Sequence, residues 1–314
     1  MKLLSGHCCI TNPKTYNYPF IESIKSYLDL CDEVVVVNGA CNKETGETDD
    51  DGSVEMIRQI EVPEGKEIKI INSYWNDKFW TWDELGRHLD LGYQACTGDF
   101  TIKFDVDYLF HENYINNVRE YLSRVDEYPF APKGFLLRKH NVITANTYFP
   151  KAIMPMIVNK KDYPNLCYGL ATNVDPDFCT AIEYEGETHG LKYGITIANQ
   201  SNFLREIRAE VWCYDFTFMN MATIEKVRAA SYVAQNLFEN LNAKEEDIAG
   251  WNKIALGKFR KFMIGRVTDR KLSKIEDIKK HPKYIQEKVS NINKDMFGYN
   301  IFNWCAGIDL NNLD

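Results

Sequence analysis

The run Glu33-Val34-Val35-Val36-Val37-Asn38-Gly39 constrains the fold more than any other stretch. Four consecutive valines leave no polar face, so the strand they form is buried on both sides, as in a parallel sheet covered by helices. Its surroundings agree. Residues 3–10 read as a first strand leading into a turn at Thr11-Asn12-Pro13. Phe20, Ile21, Ile24, Tyr27, Leu28 and Cys31 fall near helical spacing over 19–31. A short helix over 54–60 and a third strand over 68–71 follow. This alternation predicts an α/β sheet with right-handed crossovers. Ligands of such sheets bind beyond the carboxyl ends of the strands. The polar segments Thr11-Asn12, Asn38 to Asp51 and Ser73 onward should therefore share one rim.

A fourth strand, Phe100-Thr101-Ile102-Lys103-Phe104, ends on the same rim in Asp105-Val106-Asp107. Two carboxylates one residue apart in an extended chain share a face. They repel unless a cation or polar donors balance them. Mg²⁺ and Mn²⁺ take such oxygen ligands and are often shared with substrate phosphates. The plain alternative is a strand running out into an acidic turn. Before this strand, Asp83 is placed to cap a helix with Leu85, Leu89 and Tyr93 on its apolar face, closed by Gly98. Arg87 is offset from that face, as a solvated charge or a rim residue. The aromatics Trp75, Phe79, Trp80 and Trp82 either pack this helix on the sheet or line a ligand site.

Further on, 113–125 reads as a helix, and 135–144 with 152–158 as paired strands. Residues 159–190 read as a long loop, and such loops are usually functional. A strand is expected over 193–198. Helices are expected over 203–209, 221–242, 245–265 and 274–292. The alternating charges of these helices read as solvated faces. The boundaries are placed at 1–220 for a catalytic domain, with halves 1–112 and 113–220, and 221–314 for a helical C-terminal extension. The net charge of −8 argues against a broad nucleic-acid surface. No apolar run approaches the roughly 20 residues that span a bilayer, and residues 1–7 read as a strand start, not a leader. The nine cysteines show no Cys-x-x-Cys pair and read as buried thiols of a cytoplasmic protein.

With these segments in view, the chain resembles the glycosyltransferase A-type nucleotide-sugar transferases, especially their family 2 inverting group. Val34 to Gly39 with Asp50-Asp51-Gly52-Ser53-Val54-Glu55-Met56-Ile57 resembles the family's second strand, acidic loop and short helix. Leu85 to Phe100 resembles its helix before the acidic strand, and Ile102 to Tyr108 resembles that strand. Trp212-Cys213-Tyr214-Asp215-Phe216 stands where members often carry a His-Tyr pair. The resemblance covers residues 1–115 and, more loosely, 130–230. It departs at Asn38, where members usually have Asp, and in the longer stretch Cys41 to Asp50.

The resemblance implies a Rossmann-like, mixed and mostly parallel sheet flanked by helices, with a helical extension. It implies a metal-dependent glycosyltransferase, hexosyltransferase-like and inverting, moving a sugar from a UDP- or GDP-sugar to a carbohydrate or other hydroxyl acceptor. Thr11, Asn38, Asp51 and Arg87 would hold the donor. Asp105 would face the ribose or a Mn²⁺ or Mg²⁺ ion, and Asp107 would bind that ion. By its chemistry, Asp215 is a candidate third ligand. Inversion needs a base; Asp177, then Asp175, is preferred over Glu187 and His189. The C-terminal helices could pack on the catalytic domain, pair two copies or meet the acceptor. The alternatives are a nucleotidyltransferase, which would want a Gly-rich phosphate loop after strand one, and a non-catalytic nucleotide- or sugar-binding module of the same fold. A modified base in DNA as acceptor would need a basic stripe beside the rim. A dinucleotide-dependent dehydrogenase lacks its Gly-x-Gly-x-x-Gly.

Overall fold

A computed structural model describes residues 3–75, 82–127, 134–142, 144–151, 156–161, 166–167, 181–184, 187–189, 205–206, 212–216 and 273–291. The chain is α/β. Its first half alternates β1 (Leu4–Ile10), α1 (Phe20–Leu30), β2 (Glu33–Asn38), α2 (Ser53–Arg58), β3 (Glu67–Asn72), α3 (Trp82–Ala95) and β4 (Phe100–Lys103). β1 pairs in parallel with β2 on one side and β4 on the other, and β2 with β3. The spatial order β3-β2-β1-β4 therefore reverses direction between β1 and β4. In α/β sheets such a reversal, at the carboxyl ends of the two strands, marks where ligands bind. Every residue of β2 is buried, as its valine run requires, whereas β3 is the half-exposed edge.

Two antiparallel additions extend the sheet. β9 (Met156–Asn159) runs against β4, and β6 (Gly134–Leu136) against β9. β13 (Arg205–Glu206) completes the order β13-β6-β9-β4-β1-β2-β3. A second sheet has the order β15-β8-β7-β14-β5: β5 (Tyr108–Phe110), β7 (Arg138–Val142), β8 (Thr147–Lys151), β14 (Trp212–Asp215) and β15 (Ser273–Lys274). A third is the hairpin-like set β10 (Leu166–Cys167), β11 (Ala181–Tyr184) and β12 (Glu187–His189).

Several expectations are corrected here. The stretch 135–144 is two strands, not one: β6 joins the large sheet and β7 the second, with buried Leu137 between them. Residues 159–190 include three paired strands where a loop was expected. Arg205–Glu206 is a strand paired with β6, not part of a helix. Residues 274–292 do not form one helix: β15 is followed by a 3₁₀ turn, Ile278–Lys280, and by α5 (Gln286–Ser290). Pro282 stands between them and lacks the N–H that helix continuation needs. The expected strand over 193–198 and helices over 221–242 and 245–265 lie outside the described residues.

The core lies between α1 and the sheet. Tyr27 stacks on Phe104 at 3.8 Å between ring centres, in near-parallel planes. Ser23 and Ser26, on the same buried face, turn to the second sheet: Ser23 Oγ donates to the Tyr108 carbonyl (2.6 Å), and Phe110 N–H donates to Ser26 Oγ (3.0 Å). α4 (Ile115–Ser123) adds Val118 and Leu122 to this core. The described C-terminal residues 273–291 lie across the same region. β15 pairs β8, Lys283 and Tyr284 bind Asp29 of α1, and Lys288 meets Glu22 at 2.9 Å.

Candidate functional site

The carboxyl edge of the parallel strands gathers most of the residues singled out in the sequence. Ile10, Asn38 and Asn72 are level across β1, β2 and β3, and His7 pairs with Lys103 across β1 and β4. The ladder continues one step, from Phe104 N–H to the His7 carbonyl (3.0 Å). The chain then leaves the extended conformation. A turn through Val106 and Asp107 is closed by Tyr108 N–H on the Asp105 carbonyl (2.9 Å). The two acids therefore differ in environment: the Asp105 side chain is 41% exposed, whereas Asp107 is buried. Ser23 in α1 and the pairing of β5 with β14 hold this turn from below.

Lys103 lies two residues before Asp105, and its Nζ meets Asp105 Oδ1 at 2.9 Å. The side chain of this lysine is only 8% exposed. A second buried lysine stands on the other side. Pairing of β14 with β5 sets Asp215 opposite Tyr108, and Phe216 N–H donates to the Asp107 carbonyl (2.9 Å). Lys139 Nζ lies 2.9 Å from Asp215 Oδ2 and donates to the Tyr108 hydroxyl (2.7 Å). Asp215 thus reaches the acidic turn, as part of a buried ion pair. Lys103 and Lys139 were not singled out in the sequence. The signal for Lys103 was its spacing, since residues i and i+2 of a strand share a face.

The remaining rim residues are tied into their own loops. Thr11 Oγ1 accepts from Trp75 Nε1 (3.1 Å), and the Trp75 ring lies 4.4 Å from His88 of α3. Gly39 fits between them only without a side chain: a Cβ there would lie 2.9 Å from both Thr11 Oγ1 and Trp75 Nε1. Asn38 is buried, accepting from Ala40 N–H (3.1 Å) and donating to Cys41 Sγ (3.4 Å). Asp51 accepts from Thr15 N–H (2.6 Å) and from the Ser53 N–H and hydroxyl. Burial raises its carboxyl pKa, but these hydrogen bonds outweigh that and hold it below the ordinary range. Gly52, at φ +88, makes the left-handed turn into α2. Arg87 donates to Ser73 Oγ (3.3 Å) and to the Tyr74 carbonyl, and lies over the Tyr74 ring at 5.5 Å.

Charges converge on the end of β1. The Cys9 thiol, pushed up to about 12 chiefly by burial, also feels Asp105, Arg87 and Lys103. Beneath it, His7 is fully buried, and burial with the nearby ammoniums of Lys103 and Lys160 pushes it down to about 3. It is therefore neutral at pH 7. Among the described residues, no group of three His, Cys, Asp or Glu side chains is arranged to hold a metal ion. Asp105 and Asp107 still supply the oxygen chemistry a hard ion takes, and Mg²⁺ commonly needs only one or two carboxylates beside substrate phosphates. Asp175 and Asp177 lie outside the described residues, as do Phe79 and Trp80. The described cysteines Cys8, Cys9, Cys31, Cys41, Cys96 and Cys213 are free thiols. No helix among the described residues is long and apolar enough to cross a membrane.

No protein-family model matches the chain, and no curated protein does. Among solved structures, residues 1–349 of S. aureus TarS align over 98% of this chain and 90% of that one, at 13% identity and a TM-score of 0.38. The same TarS segment in complex with UDP-GlcNAc aligns over 98% and 91%, at 12% identity and a TM-score of 0.40. Longer TarS aligns over 95% of this chain and 55% of that one, at 13% identity and a TM-score of 0.40. Likeness at this level bears on neither the activity nor the substrate of this chain.

Proposed function

We propose that this chain is a glycosyltransferase of the A-type fold, taking its sugar from a UDP- or GDP-sugar and passing it to a hydroxyl acceptor with inversion. The observation that carries the reading is the half-exposed Asp105 at the β1/β4 boundary, with buried Lys103 beside it and Arg87 across the end of β1. Opposite charges are preset there around the place where an α/β sheet binds its ligand. Thr11 and Asp51 belong to the loops on the nucleoside side, Asn38 ends β2 beside them, and Arg87 belongs to α3.

In this reading Asp105 and Asp107 would hold Mn²⁺ or Mg²⁺, which would offset the charge of the leaving diphosphate. Arg87 adds fixed positive charge, and the buried strand ends keep it preorganised. The acceptor oxygen attacks the anomeric carbon as the nucleoside diphosphate departs. A carboxylate, Asp177 or Asp175, takes the acceptor proton. Asp215 acts through Lys139, fixing β14 against the acidic turn.

The test is a thermal-shift panel of nucleoside diphosphates and nucleotide sugars, with and without Mn²⁺. A ligand that binds only the folded chain raises its Tm. The expected result is stabilisation by one nucleoside class, strengthened by Mn²⁺, with the Mn²⁺-dependent part lost in Asp107→Ala. A flat response to the whole panel would contradict the reading.

A further inference from the structure

We infer that Lys103 is a built-in cation of the donor site: it orients Asp105 and shares with any bound metal ion the task of balancing a nucleoside diphosphate. The inference rests on the nucleotide-sugar reading and deepens it.

Three observations carry it. The first is place. Lys103 ends β4 and is paired in register with His7 of β1, so it stands at the point where the strand order reverses. Only this boundary of the parallel sheet opens outward to a ligand on topological grounds. The second is the depth of the pair. The lysine side chain is 8% exposed and the aspartate side chain 41%. The lysine therefore supports the acid from beneath, and the acid meets solvent and ligand. An exposed pair would contribute little, whereas a buried ammonium is costly and is screened less by salt. The third is the charge around it. Lys103 and Arg87 both act on Cys9 at the end of β1, and His7 stands level with Lys103 across β1 and β4. Two basic side chains, Lys103 and Arg87, thus stand around the end of β1.

The chemical consequence concerns competition. A diphosphate approaching Asp105 alone would be repelled. With the lysine in place, that repulsion is offset before any ion arrives. Lys103 also competes with a divalent ion for Asp105 Oδ1. The site should therefore bind a nucleoside diphosphate without metal, and bind Mn²⁺ less tightly than two bare carboxylates would.

Calorimetric titration tests this with inorganic pyrophosphate, UDP and GDP, each in EDTA and in Mn²⁺, on the full chain. The wild type should bind at least one of them in EDTA. Lys103→Met should weaken that binding by about tenfold, the size of one lost charge-assisted contact. Mn²⁺ should restore most of it, and Mn²⁺ alone should bind Lys103→Met more tightly than wild type. Lys103→Arg should stay within about threefold of wild type in EDTA. Should Lys103→Met not fold, Asp105→Asn carries the same question: its EDTA binding should tighten, and its gain from Mn²⁺ should vanish. If Lys103→Met merely melts lower and binds as wild type does, Lys103 is only structural and the inference falls. Wild-type binding strictly dependent on Mn²⁺ overturns the inference but leaves the nucleotide-sugar reading standing. No binding by the wild type in either condition removes both.

Discussion

The two edges of the parallel sheet each carry a carboxylate paired with a lysine, and they are built for different ends. At the amino edge, Glu33 accepts from Ser5 Oγ (2.5 Å), Thr97 N–H (2.9 Å), Thr97 Oγ1 (3.2 Å) and Lys69. Next to it, Asp32 accepts from Leu4 N–H and takes both arms of Arg119 at 2.8 and 3.0 Å. Burial raises both carboxyl pKa values, but these partners outweigh it and hold both below the ordinary range. The cavity of about 390 Å³ at that edge is lined by groups already committed to tying strand ends together. At the carboxyl edge the order of depth is reversed. The lysine is buried and the carboxylate of Asp105 faces outward. At the amino edge the carboxylate is the buried member of its pair, and at the carboxyl edge it is the exposed one.

The sharpest way to break this contrast is to remove one acid from each edge. Glu33→Ala leaves the partners of a 7%-exposed carboxylate unmatched. It should cost about 3 kcal/mol or more of stability, read by urea unfolding, with the nucleotide response of the surviving folded protein unchanged. Gly39→Ala should cost about 1–3 kcal/mol, because Thr11 and Trp75 must move, and should also weaken the nucleotide response. Acid sharpens the comparison further. His140 is pushed down to about 4 and His7 to about 3, chiefly by burial. Below pH 6.5 the unfolded chain binds protons that the folded one refuses, so stability falls with pH. The expected slope is up to about 1.4 kcal/mol per pH unit per histidine. The depressed carboxyls of Asp32 and Glu33 favour the fold at neutral pH, and that contribution is lost only lower, as pH falls below about 4. A Tm that stays level from pH 7 to 5 would argue against these buried neutral histidines. Asp105→Asn keeps an oxygen acceptor beside the buried Lys103 but removes its countercharge, so it should cost about 1–2 kcal/mol, less than Glu33→Ala, while removing the Mn²⁺-dependent nucleotide response.

The parallel half of the fold was legible because its signals are local. The valine run, the helical spacing over 19–31 and the polar strand ends each fall within a few residues of what they specify. Beyond residue 130 the structure depends on distant partners. Nothing near Leu137 announces that β6 and β7 enter different sheets, and nothing near Ser273 announces its partner Tyr148. Of the site, Asp105 and Arg87 were legible as rim residues from strand and helix periodicity. Lys103 obeyed the same periodicity but reads as an ordinary strand charge until its burial is known. Lys139 could not be read at all, since its meeting with Asp215 depends on β7 pairing with β14 across more than 60 residues of chain.

The claim on which the rest depends is that the carboxyl edge at the β1/β4 boundary receives the donor's phosphates. Co-crystallisation with Mn²⁺ and the best-binding nucleotide sugar tests it most directly. The account predicts the diphosphate between Arg87 and the Lys103–Asp105 pair, with its nucleoside toward Thr11 and Asp51. A nucleotide seated instead at the amino edge, by Asp32 and Glu33, would contradict it.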